Sequence, residues 1–256
     1  MTLSQGRGFR DYFSGESQAY AEFRPRYPEE LFDWLAGTAP LRDLAWDAAT
    51  GTGQAAEPLA ERFARVIATD ASATQLAGAE PAARAYYVRA FAERAPLGNH
   101  SVSLVTVAQA LHWLELPLFY SEVRRVLKSG GVIAAWCYGL HRFGGEIDAV
   151  VQEFYDAMGP WWSPERGMVD DGYRSVPFPF ARLTPPPMAM QAEWTLPHLV
   201  GYLGTWSAVR RCRADTGTDP RQAVTERLAA VWGDPHASRA AVWDLSVLAG
   251  RVGRGA

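Results

Sequence analysis

Lysine is almost missing from this 256-residue chain: Lys128 stands alone among 25 basic residues. Arginine carries the rest of the positive charge. With alanine so abundant, that bias reads as a GC-rich coding sequence rather than as a dedicated arginine set. Cysteine is scarce as well. Cys137 and Cys212 lie far apart, form no C-x-x-C motif and make no disulfide framework, which fits a reducing compartment. No apolar run approaches the ~18 residues of a membrane-spanning helix. The opening stretch MTLSQGRGFRDYF lacks an apolar segment of the signal-peptide kind. There is no basic excess either: 25 basic residues face 28 acidic ones, a net charge of −3, whereas a generic nucleic-acid binder carries surplus positive charge. The five histidines are scattered, no His/Asp/Glu cluster has metal-ligand spacing, and no G-x-S-x-G elbow marks a hydrolase. These absences point to a soluble, cytoplasmic protein for which no metal, nucleic acid or membrane is expected.

What is present is ordinary for a globular protein: 48% hydrophobic and 21% charged residues. A chain of this length buries roughly 70–75% of its unfolded surface and needs no staples. Short apolar runs alternate with helical patterns up to about residue 160. Strands are expected at Leu44–Asp47, Arg65–Asp70, Tyr86–Arg89, Val102–Val107 and Val132–Tyr138. Helices are expected over Glu57–Phe63, from the Ser72 cap to Ala79, and over Pro117–Leu127. Lys128-Ser-Gly-Gly131 reads as a helix stop and tight turn. Alternating strands and helices imply right-handed crossovers and a doubly wound, mostly parallel sheet. Two further strands, near 188–194 and 240–248, make seven, the last one antiparallel. A single domain over 1–256 is expected. Its cofactor-binding core spans 40–140, while 1–39 and 139–235 form a helical and loop cap over the sheet's carboxyl edge. Pro185–Pro187 reads as a stiff loop.

The central motif is Asp47-Ala-Ala-Thr-Gly51-Thr-Gly53-Gln-Ala-Ala56, which follows a strand and opens a helix. Its glycines permit positive φ and close approach by a ligand. Gly51–Ala56 also satisfies G-x-G-x-x-A, the dinucleotide fingerprint. Asp47 tells against a pyrophosphate, because a carboxylate there would repel it; it suits a ligand with an ammonium and a sulfonium. Asp70 ends the next strand, where a carboxylate grips ribose hydroxyls. Each acid also reads more plainly, Asp47 as a cap and Asp70 as a turn residue.

Asp47–Ala56 resembles motif I of class I S-adenosylmethionine-dependent methyltransferases, D/E-x-G-x-G-x-G, with Ala49 in place of the first glycine. Ala90-Phe-Ala92-Glu93 is similar to the family's adenine-side segment, and Val105–Trp113 to its fourth strand with the following His-Trp. Arg125–Gly131 is similar to its R-V-L-K-P-G-G turn, with Ser129 for Pro. Ser103 stands where Asp is frequent. Tyr20-Ala-Glu-Phe-Arg24-Pro-Arg-Tyr-Pro28, Thr205–Ala208 and Trp162–Arg166 resemble the type 11, trans-aconitate-methyltransferase-like group, which extends the likeness to nearly the whole chain.

The resemblance implies a Rossmann-like fold and S-adenosylmethionine as cofactor. It implies contacts from Tyr20, Arg24, Asp47, Ala49, Gly51, Gly53, Asp70, Ala71, Ala92, Glu93, Ala108 and Trp113. His112 stands where a base or substrate-orienting group would meet the transferred methyl, and reads equally as a structural histidine. Trp161, Trp162, Arg166, Tyr173, Trp206 and Arg210 are expected to line the substrate pocket, the arginines meeting an anion; each also reads as a packing aromatic or a solvated charge. The implied activity is methylation of a small molecule, with a carboxylate as one acceptor. An NAD-dependent oxidoreductase and a non-catalytic nucleoside-binding protein are the alternatives.

Overall fold

The computed structural model describes residues 23–253. Helix α1 (Glu29–Thr38) leads into β1 (Leu44–Ala48), α2 (Ala56–Arg62), β2 (Arg65–Asp70), α3 (Ala73–Ala77), β3 (Ala85–Arg89), β4 (Val102–Ala108), α4 (Leu116–Val126) and β5 (Leu127–Tyr138). Then come α5 (Gly145–Ala157), α6 (Arg166–Asp170), β6 (Ala181–Leu183), β7 (Met188–Trp194), α7 (Leu196–Gly204), α8 (Ser207–Thr216), α9 (Arg221–Trp232) and β8 (Arg239–Arg251). The stretch from 159 to 187, which has no clear period in sequence, thus holds a short helix and a short strand.

The sheet runs β3-β2-β1-β4-β5-β8, with β6 and β7 both along the far side of β8. Strands β1 to β5 are parallel, and β8 is antiparallel to β5. The mostly parallel, Rossmann-like architecture is therefore as expected, but the described residues form eight strands and not seven. The extra one has a local cause. β6 pairs with residues 249–251 of β8 and β7 with residues 239–245, so two short strands share one position in the sheet. Pro185–Pro187 separate them; a proline has no N–H to give a ladder.

A second difference lies at Lys128–Gly131. The pattern reads as a turn, but β5 begins at Leu127, which pairs with Val102 before a bulge shifts the register to Leu104. Gly131 permits that curl: a Cβ there would sit 2.8 Å from the Lys128 carbonyl oxygen. Lys128 itself pairs with Asp43, which also accepts from the Ser103 hydroxyl.

Strand period two sorts the core into two layers. Val132, Ala134, Trp136 and Tyr138 of β5 join one cluster with α1, α2 and the cap helices; Ile133, Ala135 and Cys137 join the other, with α4. Near-continuous apolar strands are what a sheet covered on both faces requires. No helix among the described residues is long and apolar enough to cross a membrane.

Behind β5, His141 is buried among the rings of Phe143, Trp194, Tyr202 and Trp243, and neither ring nitrogen has a hydrogen-bond partner among the described residues. Burial pushes its pKa down to about 4, against the opposing pull of Asp148. The unfolded histidine takes its proton near pH 6.5, the folded one only near 4, so stability falls as pH drops through that window. His141→Phe is expected to remove about 2 kcal/mol of this acid loss at pH 5, measured by denaturant unfolding of both proteins at pH 5 and pH 7.5.

Candidate active site

In the sheet order, β1 has β2 on one side and β4 on the other, so the chain leaves this point in opposite directions. Such a switch opens a crevice beyond the carboxyl ends of the strands. A cavity of about 1110 Å³ occupies it here, roofed by the cap.

The loop after β1 forms its floor. Ala49 has φ +54°, the left-handed region, so alanine holds the backbone path natural to glycine, at about 1–2 kcal/mol of strain. The Thr50 N–H, donating to the Thr69 carbonyl at 2.9 Å, locks that path to β2. Gly51 also has positive φ and lines the cavity. Gly53 does not: it is buried, and a Cβ there would collide with the Tyr87 ring. Its conformation shapes the loop without touching the cavity.

Asp47 is likewise corrected from a ligand-facing acid to an internal one. It is fully buried, outside the cavity lining, and accepts from Thr50 Oγ1 (2.5 Å) and Thr106 Oγ1 (2.7 Å). Burial raises its pKa to about 6; the two hydroxyls oppose the rise and nearby Asp70 adds to it. Asp70 does face the cavity. Its carboxylate accepts from Gly51 N at 2.9 Å and Ser72 N at 2.8 Å, which fixes the carboxylate at the end of β2. Ala71, Ala92, Glu93, Ala108 and Trp113 also line the cavity. Glu93 in addition accepts from the Glu115 N–H at 3.0 Å.

On the opposite wall, Arg24 donates to the Tyr138 hydroxyl at 3.1 Å and lies over the Tyr202 ring at 5.3 Å. Tyr20 lies outside the described residues. Two residues that the sequence does not single out hold this wall together. Gln109, at φ +53°, exchanges two hydrogen bonds with the Tyr138 backbone, at 3.0 and 2.9 Å, and ties the β4 end to the β5 end. Its strained backbone has no composition signal, though its place after the β4 motif is one.

The cap contributes Trp162, Trp206 and Arg166. The Arg166 guanidinium lies over Trp162 (4.9 Å) and Tyr155 (5.4 Å), and its Nε donates to the Tyr155 hydroxyl and to Asp170. The other two nitrogens of the fork make no hydrogen bond among the described residues. Burial works against the charge, but Tyr155 and Asp170 outweigh it and hold the pKa above its ordinary value. Trp161 and Arg210 do not line the cavity. Trp161 turns away and donates to Asp215 at 3.0 Å; Arg210 sits on α8, off the lining. His112 does line it, buried at 9% exposure, with Nδ1 3.0 Å from the Tyr173 hydroxyl. Burial, reinforced by the Arg166 charge, lowers its pKa to about 3, so the imidazole is neutral.

Comparison with known proteins decides what kind of crevice this is. Residues 46–135 match a methyltransferase domain. A provisionally named methyltransferase of Dictyostelium discoideum is 36% identical over 204 residues, 78% of each chain. An uncharacterised methyltransferase of Mycobacterium tuberculosis is 34% identical over 185 residues, 72% of this chain and 70% of its own. The chain belongs to the methyltransferase family.

A solved structure, provisionally assigned as a type II methyltransferase of Anaeromyxobacter dehalogenans, agrees in fold as well. It is 44% identical, with a TM-score of 0.84, over 90% of this chain and 98% of that one. The protein is thus a class I methyltransferase that uses S-adenosylmethionine; neither the oxidoreductase nor the non-catalytic reading finds support. The residues present fit that cofactor. The crevice offers a fixed carboxylate at the β2 end, glycine backbone beside it, and an arginine with aromatic rings on the facing wall.

The buried Asp47 gives this methyltransferase a pH signature. Its carboxyl is protonated up to about pH 6 when folded but only to 3.8 when unfolded. Its contribution is therefore intact below 3.8 and is lost as pH rises toward 6. Relative to wild type, Asp47→Asn is expected to gain about 3 kcal/mol in stability between pH 3 and pH 8. Paired urea titrations across that range measure it; a constant difference would count against the assignment.

Proposed function

We propose that this enzyme methylates a small anionic acceptor, a carboxylate, held by Arg166 at the cap side of the cavity. The observation that carries the reading is the Arg166 fork. Its Nε is engaged by the wall, its plane is stacked on two rings, and two nitrogens are left over. Such a fork matches a carboxylate in two parallel hydrogen bonds. A relative of more limited extent supports transfer to oxygen, in its case on a group borne by a carrier protein. The malonyl-[acyl-carrier protein] O-methyltransferase of Marinomonas is 35% identical over 140 residues, 51% of this chain and 52% of its own.

When bound, S-adenosylmethionine supplies an electrophilic methyl group on a sulfonium. In this reading Asp70 accepts from the ribose hydroxyls, and the Gly51 backbone allows close approach. Ala71, Ala92 and Glu93 border the base, and Ala108 presents backbone to the amino-acid end. Arg24, with Tyr20, takes the cofactor carboxylate, while Trp113, Trp162 and Trp206 keep water out. Arg166 turns the acceptor toward the methyl. Attack by a carboxylate oxygen on a sulfonium methyl consumes both charges, so a dry pocket favours the transition state over the separated ions. The chain's task is then proximity and alignment, for which effective molarity supplies up to ~7–11 kcal/mol. The whole chain acts as one methyltransferase unit, the sheet serving the cofactor and the cap serving the acceptor.

Two variants separate the halves. Asp70→Ala is expected to weaken S-adenosylhomocysteine binding by about 10²-fold in calorimetry, the scale of a lost charged hydrogen-bond pair; unchanged affinity would sink the assignment. Arg166→Gln is expected to leave that affinity intact and to raise KM for carboxylic acids by about 10- to 100-fold, with methyl-ester formation as the readout. Turnover of neutral amines alone, indifferent to Arg166, would refute the carboxylate reading.

A further inference from the structure

One buried pair at the cavity edge has no role in the reading above: His112, which lines the cavity, and Tyr173 beneath it. They come from segments 61 residues apart in sequence. Tyr173 is 1% exposed and has φ +61°. Gly172 before it has φ +65°, and a Cβ there would meet Ser246 Oγ at 2.5 Å. Tyr173 N closes the corner on the Met168 carbonyl at 2.8 Å. This tight corner drives the ring into the core beneath the cavity, where its hydroxyl meets His112 Nδ1.

The direction of that hydrogen bond follows from what else is nearby. A buried phenol proton needs an acceptor. Among the described residues, Nδ1 is the acceptor available to it. The reverse bond, from Nδ1–H to the phenol oxygen, would leave that proton stranded. The backbone amides of Leu111 and His112 polarise the same oxygen, which further turns its proton toward the ring. Burial keeps the phenol protonated and the imidazole neutral. A neutral imidazole carries one N–H. With Nδ1 accepting, that proton is on Nε2. Nε2 makes no hydrogen bond among the described residues, yet it is not one of the sealed, unpartnered atoms, as both nitrogens of His141 are.

We propose that Tyr173 is a positioning residue that fixes His112 as an Nε2–H donor toward the acceptor, so that His112 orients the substrate and removes no proton from it. The tautomer stands on the Tyr173 geometry and the burial of the pair, and not on the carboxylate reading. Its consequence rests on the carboxylate reading above. The lone pair of one carboxylate oxygen forms the new C–O bond. The sulfonium C–S bond breaks with its electron pair left on sulfur, and no proton changes hands. His112 Nε2–H, beside Arg166, donates to the oxygen that stays unmethylated.

Nitrogen NMR of the full chain labelled at histidine tests the tautomer without any acceptor. His112 is identified by the signal lost in His112→Gln. At pH 7, with and without S-adenosylhomocysteine, Nδ1 is expected to be the unprotonated nitrogen, and Tyr173→Phe to mix the two tautomers. A protonated Nδ1 in the wild-type protein overturns the proposal even if the variant fails to fold, as does an unchanged tautomer in a folded Tyr173→Phe. Kinetics test the consequence. His112→Gln keeps an N–H donor and is not a base. It is expected to lower kcat/KM about tenfold, chiefly through KM, with a flat wild-type profile from pH 6 to 8. Loss of a true base would lower kcat by about 10²–10⁴-fold and overturn the proposal. Should Nδ1 prove unprotonated while every acceptor proves neutral, the tautomer holds and the carboxylate reading fails.

Discussion

The carboxylate of Asp47, buried and clasped by two threonine hydroxyls, is the join on which the site depends. Thr106 belongs to β4 and Thr50 to the loop after β1, so one side chain ties two neighbouring strands to the loop that leaves the first of them. From the other side, Asp70 pins the same loop through the Gly51 N–H. The loop is therefore braced by an acid on each flank, and these acids repel each other. Ala49 adds backbone strain at the same place. A burial cost, a repulsion and a strained φ within a few residues mark where stability is given up to hold a ligand-facing backbone ready.

The charges divide the crevice. Asp70 at the carboxyl end of β2 and Glu93 are acids in its lining, and arginines stand on the facing wall and in the cap. Those arginines are stacked: Arg24 on Tyr202, Arg166 on Trp162 and Tyr155. A planar guanidinium keeps its charge when half-buried on a ring, whereas an ammonium would lose more hydration. The scarcity of lysine thus suits this pocket, whatever its origin in the coding sequence. The same aromatic lining that supports the arginines also thins the water around them, and this strengthens every remaining charge–charge interaction in the cavity.

Much of the fold and half of the site were legible in the sequence, because those parts are local. The strands, the glycine loop, Asp70 and the His-Trp after β4 are each written within a dozen residues, and parallel strands bring their ends together automatically. What the sequence hid depends on distant partners. Asp47 reads as a ligand contact until Thr106, 59 residues away, is seen to cover it. Trp161 and Trp162 look equivalent as neighbours, but adjacent residues on a short turn diverge: one bonds Asp215 on α8 and the other faces the cavity. The eighth strand escaped notice because three residues, Ala181–Leu183, carry no period of their own and pair only where β8 offers a free edge.

This contrast between local and distant determinants has a functional counterpart. The cofactor side is made by strand ends, whose geometry the sheet enforces and whose hydrogen bonds are largely backbone. In the proposed reading the acceptor side is made by Arg166 on α6, by Trp162 and Trp206, and by His112 held by Tyr173, joined by ring contacts and a few polar bonds. Substitutions at Arg166, Trp162 or Trp206 remove no strand-ladder bond, since none of those residues belongs to a strand. A cap of this kind can change its acceptor by exchanging Arg166 or the residues around it, while the braced loop continues to present the same methyl donor. His112 sits at the boundary. Its backbone belongs to the turn after β4, which the sheet places, but its proton is set by Tyr173, which the cap places. On the proposed reading the acceptor's alignment is decided where the two halves meet, and a shift of the cap reaches the reacting centre through that hydrogen bond.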